Sequence, residues 1–277
     1  MKALAVAADL LREARYRRWF MLLGIAVTLA LILLAATLRL DVVDGVLAAT
    51  TFFGRPMGGD LQAADVAMRP LFRAVTYTIF YGGLAFGILA CADFGPSLLS
   101  PGRIEHLLSL PVRRWELLLG TFAGVLGLAT LASVYGAGGV CLILAFKTGV
   151  WTARPVIAAL IASVTFSAIY GAMLCASVFA RSAALSAAIG ALLFAAGIVA
   201  GYRTSLVPMF QVGFGRAVFA AATFALPRIS RIADLSSAFA TSEPFDVFAL
   251  ARQLVGVVAF GGASLAVGIW WFEQKDY

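Results

Sequence analysis

"RYRRWFMLLGIAVTLALILLAATL", Arg15 to Leu38, decides the class of this chain. Its basic start and alanine-rich end imitate a secretory signal peptide, whose apolar region runs to only about 7–15 residues. The apolar core here, Trp19 to Leu38, is about 20 residues, the length that crosses a ~30 Å hydrocarbon layer as a helix. The stretch therefore reads as a retained first span.

The rest of the chain agrees with that reading. Of 277 residues, 62% are hydrophobic and 13% charged, and the mean hydropathy is +0.97. Soluble domains run at about 45–50% apolar and about 25% charged. A membrane β-barrel would show alternating segments of about ten residues, whereas these runs are continuous and rich in Ala, Leu and Gly. The expected class is an all-α integral membrane protein, one transmembrane domain over residues 1–277. The net charge of +7 is carried mainly by arginines at the ends of apolar runs. They read as interfacial anchors and orientation signals, so no nucleic-acid partner is expected. Cys91, Cys141 and Cys175 stand far apart in apolar stretches and form no disulfide framework.

Six spans follow from the pattern: Trp19–Leu38, Phe72–Cys91, Trp115–Phe146, Val156–Phe179, Ala183–Tyr202 and Phe248–Phe272. Residues 1–18 form an expected amphipathic interfacial helix with Leu4, Ala7, Leu11 and Ala14 on one side. Arg39 to Arg69 reads as a loop, partly helical at most, with Asp41, Asp44, Asp60 and Asp65. The third span is long enough to tilt, or to break near Gly136, Gly138 and Gly139. Between spans 5 and 6, residues 203–246 are ambiguous. Residues 205–226 are long enough to cross, but Pro208, Gln211 and Arg216 interrupt them, and a mid-bilayer Arg costs at least about 2.5–3.5 kcal/mol. A re-entrant or interfacial segment outside the cytoplasm is the favoured reading. Six spans then place both termini in the cytoplasm; a seven-span count would leave the C-terminus outside. Small-residue pairs, Gly83/Gly87, Gly120/Gly124 and Gly197/Gly201, promise close helix contacts within the chain or with another copy.

A catalytic reading needs convergent polar groups, and His106 is the single histidine. No HExxH, no P-loop and no phosphate-cradling glycine loop followed by Lys is present. No metal site and no enzyme activity are expected. Self-powered carriers place Asp, Glu or His in mid-membrane, and the spans lack them. Tyr77, Tyr81, Tyr135 and Tyr170 are the candidates for lining a substrate path, although aromatics at helical spacing equally form core or interfacial belt.

One loop is more elaborate than a connector requires: "SPGRIEHLLSLPVRRWELLLG", Ser100 to Gly120. Ser100 suits an N-cap and Pro101 a first helical position. Ile104, Leu107 and Leu108 fall on one face, Glu105 and Ser109 on another. Pro111 stops the helix after about two turns, and Arg113, Arg114 and Trp115 mark the headgroup layer. From the residues alone, this helix either rests on the bilayer or awaits a partner packed upon it.

The segment resembles the cytoplasmic signature of ABC-2 type transporter permeases, G-x-x-E-x-L-L-x-x-P-v-x-R ahead of the third span. The matching positions are Gly102, Glu105, Leu107, Leu108, Pro111, Val112 and Arg114, with Gly120 beyond; Thr121 stands where the family often has Lys. The six-span plan, the Leu226–Pro227 pair and the closing tail Phe272, Lys275, Asp276, Tyr277 are similar as well. The resemblance implies a multi-pass plasma (inner) membrane permease that pairs with a second copy, identical or related, and with a separate ATPase subunit. ATP and Mg would sit on that partner, and this chain would bind no cofactor. Residues 96–112 would then hold a coupling helix docked on the ATPase through Gly102, Arg103, Ile104, Glu105, His106, Leu107, Leu108, Pro111, Arg113 and Arg114. In that reading Leu107 and Leu108 fill an apolar groove of the ATPase, Glu105 meets donors there, and Arg113 and Arg114 hold lipid headgroups or partner acids. Export is the usual direction in the family. The alternatives are a secondary carrier working without an ATPase and a non-transporting membrane scaffold. Nothing in the spans names a substrate.

Overall fold

The computed structural model describes residues 2–16, 18–43, 46–52, 55–56, 62–63, 66, 68–109, 112–149, 151–210 and 213–275. At 2, 15–16, 18–19, 108 and in the strands after residue 38, only the backbone is described. Arg17, Asp44, Asp60, Asp65, Gln211, Pro111, Asp276 and Tyr277 lie outside the described residues.

Six helices are long and apolar enough to cross a membrane, as the hydropathy pattern predicts. They are Phe20–Thr37, Arg69–Leu98, Arg114–Thr148, Arg154–Ala180, Ala183–Gly201 and Val247–Gln274. Chain order begins with α1 (Lys2–Tyr16) and α2 (Arg18–Thr37). Strands β1 (Leu38–Val43) and β2 (Val46–Phe52) follow, then α3 (Arg69–Tyr77), a π-helical turn at Thr78–Gly82, α4 (Gly83–Cys91) and α5 (Phe94–Leu98). The short α6 (Arg103–Ser109) precedes α7 (Arg114–Thr148), α8 (Arg154–Ala180) and α9 (Ala183–Gly201). The chain closes with α10 (Arg203–Leu206), α11 (Phe214–Ala225), α12 (Ile229–Ala240) and α13 (Val247–Gln274).

The expected loop after the first span differs from the structure. β1 and β2 pair antiparallel from Leu38↔Phe52 to Val43↔Val46, with a register shift between Asp41 and Val42. The physical reason stands in the sequence: Asp-Gly at 44–45 between runs of Val, Leu and Thr is a strong two-residue hairpin signal. Of the tilt or break that the length of the third span allows, the break does not occur: α7 passes Gly136, Gly138 and Gly139 as unbroken helix. Its 35 residues make about 52 Å at 1.5 Å per residue, more than the ~30 Å layer needs. It ends at Gly149, whose φ of +71° places it in the left-handed region that terminates helices. The "ARS" connector is equally economical: Arg181 closes α8 in left-handed geometry and Ser182 caps α9, its hydroxyl accepting from the Leu185 amide.

Helix α8 is the centre of the bundle, with 72% of its span window buried. Its crossing with α13 is set by glycine. A Cβ on Gly171 would stand 2.6 Å from the Gly261 carbonyl oxygen, and one on Gly261 would stand 2.8 Å from that of Ser167. Backbone meets backbone there, the small-residue mode of packing in lipid. Other glycines answer whether the small-residue pairs act within the chain. Gly120 and Gly124 receive Ala3, Val6, Ala7 and Leu10 of α1, Gly87 receives Phe166, and Gly197 and Gly201 receive the start of α12.

α1 therefore lies against the first half of α7. Its inward face is Ala7, Leu10 and Ala14 with Val6 beside them; the expected stripe is rotated, since Leu4 is 70% exposed and Leu11 only half-buried. The reason is steric: the Gly120/Gly124 surface admits small side chains at close range. Helices α11 and α12 have twelve residues each, about 18 Å apiece, and each packs against α9 at the end of the bundle opposite α6. Ile229, Ile232 and Ala233 of α12 are wholly buried against the ends of α3, α8 and α9.

Candidate functional site

Two features stand out, one at the α6 end and one between the spans. The first begins with a turn. Ser100 does not cap α6 as its sequence position predicts; its hydroxyl donates to the Ser97 carbonyl at 2.8 Å. Its own carbonyl accepts from the Ile104 amide at 3.1 Å. Gly102 has φ +79°, a conformation that disfavours any side chain, and the helix starts one residue later. At the other end the Ser109 hydroxyl donates to the His106 carbonyl at 2.7 Å.

Arg103 fixes this helix to α1. Its guanidinium donates to both carboxylate oxygens of Glu13, at 2.5 and 3.3 Å. Bidentate geometry of this kind is the stronger form of ion pair, and the Glu13 hydrogen bond raises the Arg103 pKa above its ordinary value. Ile104 is 3% exposed and joins the main core, and Leu107 packs at its edge. Leu107, half-buried, lines a cavity of about 300 Å³ with residues of α1, α5 and α7. The outward surface is formed by Glu105, His106 and Ser109. The Leu108 side chain and all of Pro111 lie outside the described residues.

Arg113 is exposed, its backbone N–H donating to the Glu116 carboxylate at 2.8 Å where α7 begins. Arg114 behaves differently from its expected headgroup role. It turns inward and donates to the backbone carbonyls of Phe272, Glu273 and Lys275. Phe272 and Glu273 lie in the last turn of α13, and Lys275 immediately follows it. Lys275 in turn donates to the Val178 carbonyl at 2.7 Å, closing α8. The closing tail and the start of α7 are thus one hydrogen-bonded knot, legible only in three dimensions.

The second feature is a cleft of about 540 Å³ between α2 and the rest of the bundle. Leu23 and Val27 form its α2 wall; Gly83, Ser133 and Phe166 represent α4, α7 and α8. Its lining is almost wholly apolar, relieved by Thr78, Ser133 and Ser163. Its volume falls within the ~300–1,000 Å³ of ligand sites. The π-helical turn at Thr78–Gly82 borders it, a type of irregularity frequent at functional positions.

The four candidate tyrosines do not line this cleft and do not meet one another as a set. Tyr77 and Tyr81 stack, ring centres 5.9 Å apart, on the side facing α9 and α12, where the Tyr77 hydroxyl donates to Asp234 at 2.8 Å. Tyr135 lies half exposed, its hydroxyl 2.8 Å from that of Thr28 on α2. Tyr170 is buried between the rings of Phe122 and Phe166. Aromatic type alone did not find the cleft, because the groups that open it are glycines, alanines and small hydroxyls. Among the described residues no three His, Cys, Asp or Glu side chains come together as a metal site requires. No family model matches this chain, and no curated protein matches it.

Proposed function

We propose that this chain is the membrane subunit of a two-part, ATP-driven transporter of the ABC-2 kind, working as a pair of permeases with a separate ATPase and exporting its substrate. The supporting observation is the mounting of α6. A seven-residue helix on its own is marginal in water. This one is fixed by the bidentate Arg103–Glu13 pair and by Ile104 in the core, and it presents Glu105 and His106 outward. A partner pressing on that outward face moves α1 and, through the Gly120/Gly124 contact, α7. Helix α7 also forms one wall of the apolar cleft, so displacement at α6 alters the space between α2 and the core. The cleft is the natural substrate path for an apolar or amphipathic compound. The ionisable groups of the spans lie within about two turns of their ends, which favours an external energy source over a self-powered carrier.

The test is ATP hydrolysis that co-elutes with the tagged chain from its own membranes. Glu105→Arg reverses the outward charge without touching the core. The expected result is co-eluting hydrolysis reduced about tenfold or more, with insertion and unfolding temperature unchanged. Full hydrolysis retained by Glu105→Arg, or none in the unaltered preparation, overturns the reading. ATP-independent transport by the chain alone in vesicles would establish the secondary-carrier alternative.

A further inference from the structure

The end of the bundle opposite α6 carries four arginines on elements that pack against one another or adjoin them in the chain. Arg203 opens α10, Arg228 immediately precedes α12, Arg231 lies in the first turn of α12, and Arg252 in the second turn of α13. Close packing of α9 on α12 brings their elements together. A Cβ on Gly197 would meet Ile229 and the Pro227 carbonyl, and one on Gly201 would meet Ser230 and the Arg231 backbone nitrogen. The Ser230 hydroxyl donates to the Ile198 carbonyl at 2.9 Å and locks this contact.

The cluster has no acidic partner among the described residues. Asp234 accepts from Tyr77, Glu243 pairs with Arg73, and Asp246 caps α13 by accepting from the Ala249 amide at 3.0 Å. Arg228 is half-buried, and its pKa is lowered first by that burial and then by the charges of Arg203, Arg252 and Arg231. No side chain caps the start of α12, so the positive end of that helix adds to the same field. Four like charges held in this way repel one another, and a bound anion relieves the repulsion.

The surface beside the cluster is apolar. Phe214 and Phe224 of α11 and Phe248 of α13 are 86%, 73% and 88% exposed, and the Arg203 guanidinium lies 5.5 Å from the centre of the Phe224 ring. A water-soluble phosphate would use the charges and leave the rings idle. A phospholipid uses both. We propose that Arg203, Arg228, Arg231 and Arg252 form a binding site for the phosphate of an anionic phospholipid headgroup, with its acyl chains against α11 and the start of α13. This assignment is independent of the transporter reading.

Thermal unfolding of the full-length protein in neutral detergent tests it, with added phosphatidylglycerol, phosphatidylcholine or inorganic phosphate. Phosphatidylglycerol is expected to stabilise at concentrations at least about tenfold lower than phosphatidylcholine, since every basic residue near an anionic headgroup adds to the attraction. The Arg228→Gln/Arg231→Gln pair loses that preference, Arg228→Lys/Arg231→Lys keeps it, and Arg12→Gln at the opposite end keeps it. Equal action of the two lipids, or a preference surviving in the glutamine pair, overturns the site. A shift of the same size with inorganic phosphate alone overturns the lipid source. Native mass spectrometry of the unaltered protein in an equal mixture of the two lipids reads the same preference without any variant; equal occupancy of the two lipids there overturns the site.

Discussion

Helices α2 and α8 are both strongly apolar, with mean hydropathy of 2.6 and 2.0 over their best windows, yet they live in opposite surroundings. Not one residue from Phe20 to Thr37 is fully buried, whereas α8 buries 72% of its window. The more hydrophobic helix is the more exposed. Hydropathy reports compatibility with lipid, and lipid is as good a solvent for Leu as a protein core is. What draws α8 inward is its run of small residues, among them Ala158, Ala162 and Gly171, which let neighbouring backbones approach. α2 is richer in Leu and poorer in small residues, and it touches α7 at a few points, Leu31 against Gly139 and Thr28 against Tyr135. The looseness of that contact is also what leaves the cleft.

That contrast is breakable, and the largest effect belongs at the α8–α13 crossing. Gly171→Leu places a side chain where the Gly261 carbonyl oxygen is 2.6 Å from a Cβ. Overpacking of a close contact costs about 1–3 kcal/mol, and a backbone obstacle puts this one at about 2 kcal/mol or more. Reversible unfolding in detergent measures it; wild-type stability would mean that helix approach is not what organises the core. A middle effect is expected at the α1–α7 contact. Gly120→Leu collides with the Ala3 carbonyl and with Val6, so α1 should detach at a cost of about 1–2 kcal/mol. Limited proteolysis reads this directly, as faster cleavage within residues 2–16, and no change in rate would separate α1 from the α6 mount. The smallest effect belongs to α2. Leu29 is 60% exposed, and Leu29→Ala should change stability by less than about 0.5 kcal/mol. A loss above about 1 kcal/mol would show that α2 packs on a surface this chain does not itself supply.

The two ends of the bundle differ as sharply as the two helices. At the α6 end three cations find partners: Arg103 takes Glu13, Arg114 takes carbonyls at the end of α13, and Lys275 takes that of Val178. At the opposite end Arg203, Arg228, Arg231 and Arg252 have no carboxylate partner among the described residues. Arginine count along the sequence is similar at the two ends; only the partner distribution separates a structural knot from a candidate ligand site.

The six span-length helices were legible in the chain because length and hydropathy are local quantities, and each lies within a few residues of its expected place. The β1–β2 hairpin was also written locally, in Asp-Gly between β-branched runs, although a reading biased toward helix passes over it. Which face of α1 turns inward was not local: it depended on Gly120 and Gly124, more than a hundred residues away. The same holds for Arg114, whose partners are the last carbonyls of α13, and for the tyrosines, whose identical chemistry led to four different surroundings. The amino-acid sequence by itself determined that this is a multi-pass helical membrane protein, since the free energy of placing an apolar helix in lipid depends on that helix alone. Which helices meet, where the cleft opens and which charges remain unpaired were decided by the tertiary structure. In lipid those choices rest on close approach of small residues and on hydrogen-bond satisfaction, and both are properties of pairs of elements.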